Sequence, residues 1–348
     1  MKSAYFVETG KMEVREFPKP RLENSTDAII KIVRACVCGS DLWWYRGISK
    51  RAAGVVGHEA IGVIEEVGDD VHEMRPGDFV IVPFTHGCGK CPICLAGYEG
   101  NCPNATGSMN GGYQGEYYRA IYADAALVKI PGQPGDYSDA QLASFTTLAD
   151  VMPTGYHAAF TANVKAGDTV VVFGDGAVGL CAVIACKLLG AKRIIAMSRH
   201  EDRAALAREF GATDVVAERG DEAVAKILEL TDGFGADAAL ECVGMKDSIE
   251  AAFQSVRAGG SIGRVGIPHD VDYNKWIDPV IFRKNIHLAG GVASVVKHDK
   301  EILLDAVLTG KINPGKVFTK TFRLEEIQQA YEAMDKRTAI KSLLKISE

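Results

Sequence analysis

Hydrophobic and polar residues alternate along much of the first 150 residues, with glycine and proline at short intervals. Residues 28–33, 60–67 and 79–83 are typical of short strands with one buried face. Gly62, Gly68 and residues 76–78 are the predicted turns. Because these strands do not alternate with helices, the segment predicts a mostly antiparallel, barrel-like domain.

The pattern changes near Asp150, after which apolar runs alternate with helical periodicity. The continuous apolar run at 169–173 is typical of a strand buried on both faces. Helices are predicted at 178–189 and 203–210, and further strands at 194–197, 214–216, 236–241 and 260–265. This alternation predicts an α/β fold with a doubly wound parallel sheet. Helices at 300–308 and 324–334 and a strand at 342–346 follow.

Length and charge narrow the function class. The chain has 348 residues, which suggests about two domains, and its hydrophobic content of 47% is ordinary for a globular protein. The net charge of −6 and the lack of a dense Lys/Arg run argue against nucleic acid or anionic membrane as partners. The N-terminal residues contain no apolar segment of the signal-peptide type, and no run reaches the roughly 18 residues that span a bilayer. A cytoplasmic location is therefore expected.

Four of the nine cysteines form the motif Cys88-x2-Cys91-x2-Cys94-x7-Cys102. Thiolates at this spacing can surround one tetrahedral zinc ion, and four of them leave no position for water or substrate. The motif therefore predicts a structural zinc site, with an iron–sulfur cluster as the alternative. The segments Cys38-Gly39-Ser40-Asp41 and Gly57-His58-Glu59 predict a second site, because one thiolate and one imidazole plus a further ligand would leave zinc open for chemistry.

A glycine-rich motif follows the strand predicted at 169–173 and opens the next helix, which is the context of a dinucleotide site. Its phosphate-contacting residues are predicted to be Gly174, Gly176, Ala177, Val178 and Gly179. The second strand ends in Ser198-Arg199-His200, where an NAD site usually has Asp or Glu. A hydroxyl and a guanidinium can bind a 2′-phosphate instead, so NADP(H) is predicted over NAD(H). Arg203 is either an additional contact or a charge on the helix surface.

These motifs together, and the run Gly57-His58-Glu59-x2-Gly62-x5-Gly68-x2-Val71, resemble the zinc-dependent medium-chain alcohol dehydrogenases over essentially the whole chain. The nearest branch is that of the bacterial NADP-dependent secondary-alcohol dehydrogenases. The resemblance implies a Rossmann domain at 153–290 and a discontinuous GroES-like catalytic domain at 1–152 and 291–348, with the structural zinc lobe at 86–103. It also implies two zinc ions per chain and a homo-oligomer, with a tetramer favoured over a dimer.

Within that branch, residues 148–157 are similar to the segment that supplies the third catalytic zinc ligand, which implies this role for Asp150. The alternative is that Asp150 only caps the following helix. Glu59 resembles a residue that sometimes binds the same zinc. Ser40 is implied as the first member of a proton relay, and Asp41 as an acceptor that orients the zinc-bound histidine.

Many relatives continue the relay with a histidine five residues after the first zinc cysteine, where this chain has Trp43. Indole cannot take up and release a proton in that role. Trp43 and Trp44, with Phe84 opposite, are therefore expected to line an apolar substrate pocket. Further residues expected to contact the cofactor by resemblance are Thr154, Val265, Gly266, Ile267 and either Arg337 or Lys341.

The implied activity is hydride transfer between NADP(H) and a small alcohol, ketone or aldehyde. An NAD-dependent polyol, sugar or threonine-type dehydrogenase of the same family is the first alternative. A non-catalytic NADPH-binding, crystallin-like protein is a second alternative from another class, although such proteins generally lack both zinc sites.

Overall fold

The computed structural model describes residues 1–105, 111–268, 272 and 274–347. In chain order the strands are β1 (Lys2–Glu8), β2 (Lys11–Glu16), β3 (Ala28–Val37), β4 (Gly54–Val55), β5 (Ala60–Val67), β6 (Phe79–Val82), β7 (Tyr117–Ala120), β8 (Val128–Ile130), β9 (Thr169–Phe173), β10 (Arg193–Met197), β11 (Asp214–Val216), β12 (Ala236–Glu241), β13 (Val256–Arg264), β14 (His287–Gly290), β15 (Phe318–Arg323) and β16 (Lys341–Lys345).

The α-helices are α1 (Asp41–Tyr45), α2 (Pro92–Leu95), α3 (Ala123–Ala126), α4 (Asp139–Thr147), α5 (Val151–Thr161), α6 (Ala177–Leu188), α7 (Glu201–Phe210), α8 (Gly220–Leu230), α9 (Lys246–Ser255), α10 (Asn274–Trp276), α11 (Val295–His298), α12 (Leu304–Leu308) and α13 (Ile327–Asp335). Short 3₁₀ segments lie at Glu99–Asn101, Pro134–Asp136, Pro314–Val317 and Leu324–Glu326, and π-helical turns at Ile277–Phe282 and Asp299–Leu303. No helix of the described residues is long and apolar enough to cross a membrane.

The chain divides into two compact units. The first contains Met1–Pro153 and Ser294–Glu348, and the second contains Thr154–Ala293. Each unit has its own sheet system and core.

In the described part of the first unit, the larger sheet has the strand order β15-β16-β3-β5-β6-β8, and β7 pairs with β3. Its pairs are antiparallel except for β15 and β16, which run parallel. A smaller sheet has the order β2-β1-β4. The strand β3 is central and almost entirely buried, because its residues are apolar on both faces and strands cover both of its edges.

The second unit contains a parallel sheet with the order β11-β10-β9-β12-β13-β14. Renumbered from β9, this is the 3-2-1-4-5-6 order of dinucleotide-binding folds. The strand order reverses between β9 and β12, so the sheet has a crevice at the carboxyl ends of these strands, the usual binding position in such sheets. The predicted α/β class with a doubly wound parallel sheet is thereby confirmed.

No helix was predicted in the first 150 residues, where α4 is the longest of the helices that the structure describes. The helix α4 is buried on most sides from Leu142 to Thr147, so it lacks the amphipathic period that identifies a surface helix. Its start does have a sequence signal, because Ser138 and Gln141 form a reciprocal capping box. The segment that follows α11 also differs from a regular helix, because it begins with a π-helical turn.

Candidate functional site

The first candidate metal site is built around the end of β3, the central strand of the larger sheet. Cys38 follows β3 directly, and β5 pairs with β3 so that Ala60 lies opposite Ala35. His58 and Glu59 immediately precede β5, so this register brings them beside the end of β3. Asp150 comes from the segment between α4 and α5, where the backbone N–H of Phe84 donates to the Ala149 carbonyl at 2.9 Å.

These elements bring together one ligand atom each from Cys38, His58, Glu59 and Asp150, all within 4.8 Å of one another. The Asp150 Oδ2 atom lies 3.5 Å from Cys38 Sγ and 3.6 Å from His58 Nε2. His58 Nε2 and Glu59 Oε1 are 3.8 Å apart. Tetrahedral zinc with bonds of about 2.0–2.3 Å places neighbouring ligand atoms about 3.3–3.8 Å apart. The donor set and its spacing therefore fit zinc.

Asp41 contacts two members of this group, Cys38 and His58. Its Oδ2 accepts the backbone N–H of Cys38 at 3.0 Å, and its Oδ1 lies 3.6 Å from His58 Nδ1. Burial by itself lowers the pKa of His58, but the charges of Asp41 and Cys38 and a hydrogen bond to Asp150 raise this pKa well above its ordinary value. The same accumulation of negative charge favours a bound cation.

Glu59 also pairs with Lys341, the first residue of β16. Lys341 Nζ donates to Glu59 Oε1 at 2.7 Å and to the Val37 carbonyl at 3.1 Å, and both charged side chains are at most 1% exposed. Burial lowers the pKa of Lys341, but the thiol of Cys36 and the Glu59 carboxylate raise it well above its ordinary value. The other oxygen of Glu59 is buried without a hydrogen-bond partner in the part of the chain that the structure describes. The expectation that Lys341 contacts cofactor phosphates is thus corrected, because its ammonium group is enclosed beside Glu59.

The residues expected at the substrate pocket occupy different environments. The Phe84 ring lies beside that of His58, with centroids 6.3 Å apart and an edge-on orientation. Trp43 is half-buried on α1. Trp44 instead belongs to the core of the first unit, where its ring contacts Phe6 and Tyr331 at centroid distances of 4.7 and 5.6 Å. The pocket expectation for Trp44 is therefore corrected to a packing role.

Ser40 immediately precedes α1, and its side chain forms no capping hydrogen bond with that helix. Its backbone carbonyl accepts the N–H of Trp43 at 3.3 Å. The cap position thus leaves the hydroxyl available for another contact, which is compatible with the relay role expected from the sequence.

The second candidate metal site is the lobe around α2, which contains Cys88, Cys91, Cys94 and Cys102. Their sulfur atoms lie within 4.8 Å of one another, with Cys91 Sγ at 3.5 Å from Cys94 Sγ and 3.8 Å from Cys102 Sγ. All nine cysteines lie in the described residues, and none of them forms a disulfide. The predicted grouping of these four thiols is therefore present without a disulfide.

Hydrogen bonds in the lobe favour thiolates. Asn104 Nδ2 donates to Cys88 Sγ at 3.3 Å. The backbone N–H of Cys88 donates to Cys102 Sγ at 3.3 Å, and the backbone N–H of Cys94 donates to Cys91 Sγ at 3.4 Å. Although burial opposes it, the Asn104 bond and backbone N–H groups lower the pKa of Cys88 to about 6. Burial raises the pKa of Cys94 to about 12. A cation bound to all four sulfurs would offset the cost of ionising the Cys94 thiol.

The glycine-rich loop of the second unit has the form that a dinucleotide requires. Gly174 follows β9 at a φ of +117°, and a Cβ on Gly179 would lie 1.9 Å from the Gly174 carbonyl oxygen. Gly176 is the N-cap of α6, which has no side-chain cap, and a Cβ there would meet no protein atom within 4 Å. Gly174 and Gly179 are thus required by the turn itself. Gly176, with Ala177 and Val178 after it, leaves free space and free N–H groups at the helix N-terminus, which suits a pyrophosphate.

At the end of β10, the sequence-predicted residues meet an unpredicted carboxylate. Ser198 is buried, and its Oγ donates to Asp175 Oδ2 at 2.8 Å. Arg203 Nη1 lies 3.3 Å from Asp175 Oδ1 and donates to the Asp175 carbonyl at 3.2 Å. Arg199 is exposed and His200 is the N-cap residue of α7. The structure therefore brings Ser198 and Arg203 together through Asp175, the second residue of the glycine-rich loop.

The remaining predicted cofactor residues lie in two places. Thr154 is buried near the start of α5, and the loop that follows β13 contains Val265, Gly266 and the exposed Ile267. The backbone N–H groups of Val265 and Gly266 donate to the Glu241 carbonyl at 2.9 and 3.0 Å, which fixes this loop at the carboxyl end of the sheet. Arg337, in the first unit, is exposed and has a φ of +57° just after α13.

Sequence reasoning missed the contacts of Asp175 and gave Lys341 a different role. Asp175 had a signal, because it is the only charged residue of the motif Gly174–Gly179. The side-chain partners of Lys341 could not be read from its neighbours, because Glu59 lies 282 positions away in the chain.

Comparison with known proteins agrees with both units. Residues 24–132 match the alcohol dehydrogenase GroES-like domain and residues 177–308 match the zinc-binding dehydrogenase family. The zinc-type alcohol dehydrogenase-like protein AdhB of Bacillus subtilis is 33% identical, covering 99% of this chain and 100% of its own. The NADP-dependent isopropanol dehydrogenase of Thermoanaerobacter brockii is 30% identical, covering 96% of each chain.

A solved structure, the apo form of zinc-dependent alcohol dehydrogenase 2 from Streptococcus pneumonia, has a TM-score of 0.89 and 32% identity, covering 100% of this chain and 99% of its own. The prediction of a GroES-like domain in addition to the parallel sheet is thereby confirmed. With the donor sets of both candidate zinc sites, these matches show that the chain belongs to the zinc-dependent medium-chain alcohol dehydrogenase family.

Proposed function

We propose that this protein is an NADP(H)-preferring, zinc-dependent alcohol dehydrogenase or carbonyl reductase that acts on a small alcohol, ketone or aldehyde. The observation that carries the proposal is the buried group of Cys38, His58 and Asp150, whose ligand atoms have the spacing of a zinc site with three protein ligands. Three ligands leave a position for substrate, which a structural site does not.

In this proposal Cys38, His58 and Asp150 hold the catalytic zinc, and Asp41 orients His58 through its Nδ1 side. Glu59, whose second oxygen has no partner among the described residues, is a further ligand at some stage of the cycle. When bound, zinc polarises the substrate oxygen, and the nicotinamide carries the hydride. The hydroxyl of Ser40 accepts or donates the proton of the substrate.

The proton does not continue through position 43, because the indole of Trp43 cannot titrate. Trp43 and Phe84 instead provide an apolar lining for the substrate, and the contact of Phe84 with His58 supports its placement at the zinc group. Aliphatic and aromatic secondary alcohols, with their ketones, are the expected substrates.

The NADP(H) preference is supported by Ser198 in the place of the usual acid and by the arginines that follow it. The proposed partners of the 2′-phosphate are Ser198, Arg199, His200 and Arg203. Thr154, Val265, Gly266 and Ile267 are the proposed nicotinamide-side contacts, and Arg337 is a proposed phosphate contact.

We also propose a second, structural zinc ion on Cys88, Cys91, Cys94 and Cys102. The domains are proposed to be 1–152 with 291–348 for catalysis and 153–290 for the cofactor, which the bounds of the two compact units support. A cytoplasmic homo-oligomer, with a tetramer favoured over a dimer, completes the proposal. The edge strand β14 supports assembly, because its Leu288 is 37% exposed and Phe282, five residues before its first residue, is 77% exposed.

A spectrophotometric panel tests the function most directly. Alcohols and carbonyl compounds are assayed with NADP(H) and NAD(H) in parallel, on protein whose zinc content is measured by atomic spectroscopy. We expect two zinc ions per chain, activity on secondary alcohols and a higher kcat/KM with NADP. Ser198→Asp, which restores the acid, is expected to shift the preference toward NAD. Activity confined to polyols or sugars, or equal use of both cofactors, would contradict the substrate or the cofactor proposal respectively.

One observation favours a second candidate, an NAD-dependent polyol, sugar or threonine-type dehydrogenase. The carboxylate of Asp175 lies beside Ser198 and could accept a ribose hydroxyl. The same panel separates the two candidates through the cofactor ratio and the substrate class. Substrate turnover of any kind would exclude a non-catalytic crystallin-like role.

A further inference from the structure

The carboxylate of Asp175 contacts two of the groups that are proposed to bind the 2′-phosphate, the Ser198 hydroxyl and the Arg203 guanidinium. It accepts the Ser198 hydroxyl at 2.8 Å and pairs with Arg203 at 3.3 Å. Both side chains of the Asp175–Arg203 pair are largely shielded from water, at 19% and 14% exposed. A phosphate at this position would therefore compete with Asp175 for the same donors and be repelled by its charge.

A further arginine, Arg219, belongs to the same edge of the sheet. The parallel strands β9, β10 and β11 end side by side, because Met197 pairs with both Phe173 and Val216. The backbone N–H of Ser198 donates to the Val216 carbonyl at 3.0 Å, and Arg219 follows three positions after Val216. The loops that contain Asp175, Ser198 and Arg219 are consequently neighbours.

The side chain of Arg219 is held by its own loop and stays exposed. Its Nη1 donates to the carbonyls of Ala217 and Glu218 at 3.1 and 2.8 Å. Partial desolvation lowers the pKa of Arg219, Asp175 acts to raise it, and the like charge of Arg199 lowers it further. The position of its loop at the same edge of the sheet and its exposed side chain allow an anion at this edge to reach the Arg219 guanidinium.

We infer that Asp175 and Arg219 set the cofactor choice in opposite directions, Asp175 favouring a ribose 2′-hydroxyl and Arg219 a 2′-phosphate. This inference rests on the proposed dehydrogenase function and names the residues that tune it. With NAD, the Asp175 carboxylate can accept the ribose hydroxyl, as the acid of the second strand does in other dinucleotide sites. With NADP, the phosphate takes over Ser198 and Arg203 from Asp175, and Arg219 adds a third positive charge beside Arg199 and Arg203.

Binding of two adenosine fragments tests the inference without turnover. Isothermal titration calorimetry measures the affinities of adenosine 2′,5′-bisphosphate and 5′-AMP for the wild type, Asp175→Asn and Arg219→Gln. Charge-assisted hydrogen bonds to one anion are worth about tenfold or more in affinity. We expect Asp175→Asn to raise the bisphosphate-to-AMP affinity ratio about tenfold and Arg219→Gln to lower it about tenfold. Ratios of kcat/KM for NADP and NAD are expected to change in the same directions.

The controls are Arg208→Gln and Asp247→Asn, which remove an exposed charge from α7 and α9 and should leave the ratio within about twofold of the wild type. If Asp175→Asn is poorly folded, Asp175→Ser provides the same loss of charge with a smaller side chain. An unchanged or reduced bisphosphate-to-AMP affinity ratio in both Asp175 variants would overturn the role of Asp175. An unchanged ratio in Arg219→Gln would overturn the role of Arg219. A wild type that prefers NAD would overturn the NADP proposal alone, because the inference concerns the direction of each change.

Discussion

Asp299 lies directly after α11, at the start of the π-helical turn, and is 1% exposed. Neither of its carboxylate oxygens has a hydrogen-bond partner among the described residues. Burial, and after it the charge of Glu99, raises the pKa of Asp299 well above its ordinary value. Asparagine has nearly the same shape but cannot ionise. We therefore expect Asp299→Asn to stabilise the protein at neutral pH relative to the wild type.

The sign and size of the effect follow from the raised pKa. In the unfolded chain an aspartate has a pKa of about 3.9, so above that pH the unfolded state releases a proton that folded Asp299 retains. The stability contributed by the protonated carboxyl is complete below about pH 4 and is lost as the pH rises toward the folded pKa. The loss is about 1.4 kcal/mol per pH unit in this interval. As the pH rises above about 5, the wild type should thus weaken progressively relative to Asp299→Asn.

Urea unfolding of both proteins at pH 5, 6, 7 and 8 with zinc present measures this difference through the transition midpoint and the slope. Glu301→Gln is the matched control, because it removes an exposed carboxylate from the same π-helical turn. Glu99, whose own pKa is raised by burial, is present in every protein compared. A stability difference that stays constant from pH 5 to pH 8 would refute the reasoning, since it would mean that Asp299 does not titrate abnormally.

Three further predictions concern the first unit. Trp44→Ala should lower the free energy of unfolding by about 3–5 kcal/mol, measured by urea unfolding, because it empties a core position. Trp43→Ala should mainly change the KM for bulky secondary alcohols, and equal stability losses in the two variants would contradict this contrast. Lys341→Met should cost about 3–5 kcal/mol by leaving the buried Glu59 carboxylate without its partner, and adding Glu59→Gln should recover part of the loss in the same assay. Cys94→Ser should reduce bound zinc from two equivalents to one by atomic spectroscopy, whereas retention of both would exclude the four-thiolate site.

The sequence was most informative where function depends on local spacing. The four-cysteine lobe and the glycine-rich loop are each contained in one short segment, so residue order alone predicts which groups meet. The strand β5 was predicted with its observed bounds, because its mostly apolar run ends at the turn predicted at Gly68. The helix α4 was missed, since its burial on most sides removes the periodic signal of an amphipathic helix.

The role of Trp44 shows a different limit. Two adjacent aromatic residues on a short helix point in different directions, and the hydrophobic pattern does not say which one faces the core. In the structure Trp44 packs against Tyr331, which comes from the distant helix α13. The contact depends on tertiary packing across most of the chain, so only the structure assigns it.

The surroundings of Cys38, His58 and Asp150 depend on the same kind of long-range pairing. Antiparallel pairing of β16 with β3 places Ser342 opposite Val37, which carries the adjacent Lys341 to the end of β3 where Cys38 begins the metal group. A one-residue slip in this register would turn Lys341 to the other face of the sheet and leave Glu59 buried without its cation. The group of Cys38, His58, Glu59 and Asp150 concentrates acidic and thiol groups in a buried volume, which one zinc ion and one lysine can together neutralise. The strand β16 therefore contributes to the electrostatics of the candidate zinc site through Lys341, although it is not one of the four grouped ligands.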